Sequence, residues 1–118
     1  MITVSEKTGP EQAVDGGGSV LVAGPLTVDL ERYEARLDGE EILFSQKELL
    51  LLAFLMQKGG RVASSEEISA ALWGHPTTTN TVQVHIKRIR KKLGDESPMG
   101  LIRTVRGAGY RLSPTLCP

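Results

Sequence analysis

Apolar positions change their spacing several times along this chain, and each change marks an element. From Val20 onward, short strand-like pieces at residues 20–23, 26–29, 34–37 and 41–44 are broken by Gly24-Pro25 and Asp38-Gly39. Asp-Gly between extended runs is the pair that a tight hairpin prefers, because both positions tolerate positive φ. A four-stranded antiparallel sheet is predicted here. Ser45-Gln-Lys-Glu48 has the spacing of a capping box, in which the serine accepts from the backbone of the glutamate and the glutamate reaches back. Leu49, Leu50, Leu52, Ala53, Leu55 and Met56 make the following helix apolar on most sides, which marks it as the central core helix, and Gly59-Gly60 ends it. Ser64-Ser-Glu-Glu67 repeats the capping spacing and opens a second helix over 66–73, with Ile68, Ala71 and Leu72 inward and Gly74-His75-Pro76 as its stop.

The stretch Asn80-Thr-Val-Gln-Val-His-Ile-Lys-Arg-Ile-Arg-Lys-Lys-Leu93 is a third helix, closed by Gly94. Asn80 with Gln83 three residues on gives a start signal, and Thr79 is the alternative cap. At 100° per residue, Val82, Ile86, Ile89 and Leu93 fall within one narrow arc, while Asn80, Val84, Lys87, Arg88 and Lys91 gather on the far side. One stripe holds the helix on its domain and the other presents donors and charge, the division that a DNA-reading helix needs. A basic amphipathic helix by itself is most often a solvated surface helix. Here a second cationic element follows, Ile102-Arg-Thr-Val-Arg-Gly-Ala-Gly-Tyr-Arg-Leu112, a hairpin whose Gly107-Ala-Gly109 tip needs glycine's backbone freedom. Two adjacent positive elements can grip a groove and its flanking phosphates together. Helices two and three have the order of a helix-turn-helix, and the hairpin is what a winged helix adds. The predicted fold is therefore α+β: an N-terminal four-stranded antiparallel sheet, three helices and a C-terminal β-hairpin wing.

A formal net charge of zero over 118 residues conceals a strong asymmetry. Residues 1–79 hold six Lys and Arg against twelve Asp and Glu, whereas residues 80–118 hold eight against two. Such a charge dipole steers the positive half toward phosphate and discourages the opposite orientation. With 40% hydrophobic and 24% charged residues the chain has the composition of a soluble domain with one core. Its longest apolar run, residues 49–56, is less than half of a bilayer crossing. No secretory signal stands near Met1, and Cys117 is the only cysteine, so a reducing, cytoplasmic setting is expected, with neither an intramolecular disulfide nor a thiolate zinc cluster. Gly16-Gly-Gly-Ser19 marks residues 1–19 as a flexible leader or linker, 20–113 as the domain and 114–118 as a flexible tail.

The residues from Ser45 to Leu112 resemble the effector domain of OmpR/PhoB-type response regulators. The resemblance is carried by Lys47-Glu48-Leu49, Arg61-Val62, Glu67-Ile68, Leu72-Trp73-Gly74, the block from Thr81 to Gly94 and the block from Ile102 to Leu112. It implies a bacterial DNA-binding transcription regulator, with helix 80–93 in the major groove and wing 102–112 in the adjacent minor groove. Val84 would pack on a thymine methyl or sugar edge, while Lys87, Arg88 and Lys91 would reach phosphates or base edges. Thr104 would hold backbone phosphate, and Arg106 would enter a narrow A·T-rich minor groove. The candidate DNA-contacting set is Asn80, Thr81, Gln83, Val84, Lys87, Arg88, Arg90 and Lys91 on the helix with Thr104, Arg106, Gly107 and Tyr110 on the hairpin. Tyr110 reads better as a core or phosphate-facing residue than as a stacking platform, and 4% aromatics leave little for single-strand recognition.

The resemblance also implies head-to-tail pairing on direct repeats by a protein that is monomeric in solution. The sequence departs from the family in three places. Asn80 stands where members often carry a basic residue and can cap the helix or read adenine. The stretch after Trp73, which in the family can touch RNA polymerase, is short. The leader of residues 1–19 has no room for the receiver domain that normally precedes such a domain, so control by phosphorylation is not read from this sequence.

Other chemistry finds little support. His75 and His85 lack partners at metal-ligand spacing, and His85, beside the apolar stripe, reads as a packing residue. Ser64, Ser65 and Ser69 lack an activating base, and residues 106–109 are too short for a dinucleotide fingerprint, so no enzyme, metal or cofactor is expected. The competing reading is a winged-helix interaction module that docks an acidic protein partner. Recognition of duplex RNA by shape is a weaker one, since the narrow major groove of A-form RNA excludes a reading helix.

Overall fold

The computed structural model describes residues 3–4, 20–95, 97 and 100–113. Among these the order is β1 (Thr3–Val4), β2 (Val20–Ala23), β3 (Leu26–Asp29), β4 (Glu34–Leu37), β5 (Glu40–Ile42), α1 (Gln46–Gln57), α2 (Ser65–Trp73), α3 (Thr79–Leu93), β6 (Ile102–Val105) and β7 (Gly109–Leu112). The first five strands form an antiparallel meander in sequence order, and β6 and β7 form a separate hairpin. Sheet, helices and hairpin thus follow one another as the sequence predicts, with one strand more. Thr3 and Val4 pair with Val22 and Leu21 on the edge of the sheet, inside the stretch expected to be an unstructured leader. Two residues are too few to display a period of two, and their partner strand is remote in sequence. The rest of that leader and the tail that holds Cys117 lie outside the described residues.

Between β4 and β5 the turn is the one that Asp-Gly favours: Asp38 and Gly39 have φ of 54° and 85°, and Leu37 pairs with Glu40. β5 occupies Glu40–Ile42 rather than residues 41–44, because pairing to β4 ends at Ala35↔Ile42. Beyond it Leu43 is 78% exposed, Phe44 turns back against the core, and Ser45 is already the extended N-cap of α1.

The expected capping boxes of α1 and α2 both form, with Ser45 and Glu48 in one and Ser64 and Glu67 in the other. α2 begins one residue earlier than expected, and Ser69, not Ala71, joins Ile68 and Leu72 on its buried side. The Ser69 hydroxyl is satisfied there by Thr77 Oγ1 at 2.7 Å. In α1, Leu49, Leu51, Leu52, Ala53, Leu55 and Met56 are all buried, and the helix touches α2, α3, β2 and β7. Each large side chain buried in this way contributes about 1.5–3 kcal/mol, so α1 is the post around which the other elements collect. Among the described residues, no helix is long and apolar enough to cross a membrane.

One charge is built into this core. Glu48, only 3% exposed, accepts from the Ser45 backbone N–H at 3.0 Å and from Lys92 Nζ at 2.6 Å, an ion pair that ties the start of α1 to the last turn of α3. Burial acts to raise the pKa of this carboxyl, but the bonds from Lys92 and Ser45 outweigh it and hold the pKa below the ordinary 4.5. A depressed carboxyl pKa stabilises the fold fully above the unfolded value and loses that contribution as pH falls through the folded value. Glu48→Gln is expected to lower stability at neutral pH by about 1–3 kcal/mol. The gap to the parent protein should close as the pH drops below 4.5, as read by urea melts across pH.

Candidate nucleic-acid interface

Helix α3 has 15 residues and, at 1.5 Å per residue, a length of roughly 22 Å. Its N-cap is Thr78 rather than Asn80 or Thr79, and Thr78 makes no side-chain capping bond; its hydroxyl lies 3.1 Å from Thr81 Oγ1 instead. Asn80 therefore sits exposed in the first turn. Val82, Ile86, Ile89 and Leu93 are buried, whereas Asn80, Gln83, Val84, Lys87, Arg88 and Lys91 are exposed. Val84 is 40% exposed, an apolar side chain left in water within a cationic face. Among the described residues, Lys87, Arg88 and Lys91 have no hydrogen-bonding or ion-pair partner, so their charges are uncommitted.

The angle between α2 and α3 is held by a chain of polar and aromatic contacts. Lys47 on α1 donates to the Leu72 carbonyl at 2.6 Å and lies 5.5 Å from the Trp73 ring centroid. The Trp73 ring meets His85 edge-on, with centroids 5.2 Å apart and an interplanar angle of 75°. His85 Nδ1 is in turn 2.7 Å from the Thr81 carbonyl oxygen. His85 thus packs α3 against α2, the role that its place beside the apolar stripe suggests.

Arg90 points along the domain rather than straight outward. Its Nε and Nη2 donate to the Ile102 carbonyl at 3.2 and 2.8 Å, and Nη2 also donates to Thr104 Oγ1 at 2.7 Å. Burial pulls this guanidinium's pKa below its usual value, with Tyr110 and Asp95 acting in the other direction. Two residues placed in the DNA-contacting set, Arg90 and Thr104, are therefore bonded to each other across the junction between α3 and the hairpin. Thr81 is half-buried.

The hairpin is docked by its backbone. Ala63 and Tyr110 exchange N–H···O bonds of 2.8 and 2.9 Å, which stitches β7 to the segment that leads into α2. Gly109, with φ 143°, lies against this joint, where a Cβ would strike the Ala63 carbonyl and Ser64 Cα. At the tip, Ala108 N–H donates to Val105 at 2.9 Å and Gly107 takes φ 78°, leaving Arg106 and Gly107 exposed. Tyr110 is 8% exposed and belongs to the core; burial raises its phenol pKa and the neighbouring Arg90 charge partly offsets this. On the opposite hairpin face Arg103 stands directly across from Arg111, and the Nε of each is buried without a hydrogen-bond partner.

Two recesses join helix and wing. One, of about 290 Å³, is lined by Ser65, Glu66, Gln83 and wing residues from Thr104 to Tyr110, and the other, of about 330 Å³, by Gln83, Ile86, Lys87, Arg90 and Tyr110. Gln83 and Tyr110 border both, so the exposed side of α3 and the hairpin bearing Arg106 share one concave surface. Ser65, Glu66, Val105, Ala108 and Gly109 also line this surface, outside the candidate DNA-contacting set. The first two lie at the start of a helix whose direction becomes legible only when α2 is placed beside the wing. No group of three His, Cys, Asp or Glu suited to a metal ion occurs among the described residues.

The family model described as transcriptional regulatory protein, C terminal, matches residues 39–112. Sensory transduction protein RegX3 of Mycolicibacterium smegmatis is 40% identical over 97 residues, which cover 79% of this chain and 42% of that protein. The phosphate regulon transcriptional regulatory protein PhoB of Rhizobium meliloti is 38% identical over 96 residues, covering 80% of this chain and 42% of its own. The chain thus spans less than half the length of these curated relatives. Among solved structures, the DNA-binding domain of Klebsiella pneumoniae RstA in complex with the RstA box matches with a TM-score of 0.73 at 30% identity, over 80% of this chain and 97% of that one. The Thermotoga maritima response regulator DrrB, an OmpR/PhoB homolog, matches with a TM-score of 0.71 at 30% identity, over 80% of this chain and 44% of that one.

The bonds from Arg90 to β6 generate a test of how the wing is held. Arg90→Met keeps the aliphatic stem but removes the donors to Ile102 and Thr104. A stability loss of about 1–3 kcal/mol is expected, with amide hydrogen exchange accelerating in β6 and β7 beyond what the global change accounts for.

Proposed function

The chain belongs to the transcriptional regulatory protein C-terminal family, the OmpR/PhoB type of response-regulator effector domain, and on that premise we propose that it binds double-stranded DNA sequence-specifically to regulate transcription in bacteria. The observation that carries this reading is the shared concave surface: the uncommitted Lys87 of α3 lines one recess and the exposed Arg106 of the wing lines the other, with Gln83 and Tyr110 bordering both. α3 enters the major groove, where Val84 meets a thymine methyl or sugar edge and Asn80, Thr81, Gln83, Lys87, Arg88 and Lys91 supply donors to base edges and phosphates. With its first-turn position and no capping role, Asn80 is available to read adenine. The wing lies over the adjacent minor groove, with Arg106 and Gly107 at its tip and Thr104 toward the phosphates, while Tyr110 supports the hairpin from the core. Arg90 contributes chiefly by fixing the wing against the helix.

Among the described residues, the exposed large hydrophobics are Tyr33, Leu43 and Val84, too few to form the face of a strong free dimer. We therefore propose a monomer in solution that pairs head to tail on direct repeats. Residues 74–78, which join α2 to α3, are short for a loop that contacts RNA polymerase, and no such contact is proposed.

Binding to a duplex selected from a random pool should weaken by orders of magnitude between low and moderate salt, because several phosphates are neutralised at once. A flat salt response, or no preference among duplexes, would instead favour a module that docks an acidic protein. Arg106→Ala is expected to lose affinity mainly on sites with an A·T-rich segment under the wing, whereas Val84→Ala changes base preference more than total affinity. Equal effects of both changes on every sequence would overturn this division of roles. Sedimentation of the free protein should give a monomer; a concentration-independent dimer would contradict the pairing proposal.

A further inference from the structure

The concave surface contains one residue of the wrong sign. Glu66, exposed in the first turn of α2, lines the recess formed by Gln83, Thr104 and Arg106. The other described carboxylates of the helical half are occupied elsewhere. Glu48 is buried against Lys92, Glu67 caps α2 and pairs with Lys58, and Asp95 accepts from the Leu101 N–H. Those of the sheet, among them Asp29, Glu31, Glu34, Glu40 and Glu41, lie outside both recesses. Glu66 has no hydrogen bond and no ion pair among the described residues. The capping box does not need it, because Glu67 fills that position. An ionised carboxylate on a surface that faces phosphates offsets part of the counterion release that drives association.

We propose that Glu66 is an electrostatic brake on DNA binding, an unpaired carboxylate in the wing recess that lowers affinity for every duplex alike. It limits non-specific retention, where phosphate attraction is nearly all of the binding energy, and leaves base readout to α3. This inference rests on the DNA-binding reading above. If the parent protein binds no duplex at all, that reading fails; if it binds and Glu66 has no effect, only the brake fails.

The test compares the full chain with Glu66→Gln and with Glu31→Gln, a change of equal charge on the turn after β3, outside both recesses. Each is titrated with a pool-selected duplex and a mixed-sequence duplex of the same length, at several salt concentrations, after thermal melts confirm that all three fold. Glu66→Gln should tighten binding to both duplexes by a similar factor. That gain should be roughly threefold larger at 50 mM than at 200 mM salt, as one additional effective charge requires. Glu31→Gln should change affinity much less. An unchanged affinity overturns the brake, and so does an equal gain from Glu31→Gln, which would reflect net charge alone. Weakened binding confined to the selected duplex also overturns it, since Glu66 would then be accepting a hydrogen bond from a base amino group.

Discussion

The packing of α3 on α1 is the constraint from which the rest of the interface follows. Because side chains advance 100° per residue, burying Val82, Ile86, Ile89 and Leu93 dictates which residues can face outward, and a slip of one position would turn Val84 or Lys87 sideways. Four buried aliphatic side chains at about 1.5–3 kcal/mol each outweigh the preference of a strongly charged helix for water on all sides. The Lys92 to Glu48 bond adds direction to this oily contact. It joins one end of α3 to the start of α1, while Trp73 and His85 hold the middle of α3 against α2. Rotation and tilt of the helix are thus fixed by different kinds of interaction.

The wing depends on that placement in turn. A two-stranded hairpin is at best marginally stable by itself, and here three attachments give it a fixed position. Ile102, Tyr110 and Leu112 enter the core, β7 exchanges backbone bonds with Ala63, and Arg90 donates to the Ile102 carbonyl and the Thr104 hydroxyl. Tightening β7 against Ala63 leaves no room for a side chain at Gly109. The tip at Arg106 to Ala108 extends past these attachments, so the wing combines a rigid base with an exposed end. These attachments hold the wing tip and the exposed face of α3 in a fixed relation to each other.

How much of this was legible in the sequence depends on the distance over which each signal acts. Capping boxes at Ser45 and Ser64, the Asp38-Gly39 turn and the apolar stripe of α3 involve neighbours within a few residues, and the structure contains all of them. Features that depend on remote partners were hidden. Lys92 belongs to the basic run but spends its charge on Glu48, which lies 44 residues away. Arg90 is indistinguishable by spacing from cations that face solvent until β6 is folded against it. Glycine at 109 suggests a turn, yet its second reason is the approach of Ala63. The short strand at Thr3 and Val4, the early end of β5 and the unbonded cap at Thr78 likewise reflect pairing and packing rather than local preference.

The facing arginines on the far side of the wing carry a consequence for the hairpin itself. Arg103 and Arg111 are cross-strand neighbours, and like charges in that relation push the strands apart. Mobile ions damp such repulsion within a Debye length. Rising ionic strength therefore damps two forces in this protein, the pull of its exposed cations on a polyanion and, less strongly because the Arg103 and Arg111 Nε atoms are buried, the push between the strands of its β-ribbon.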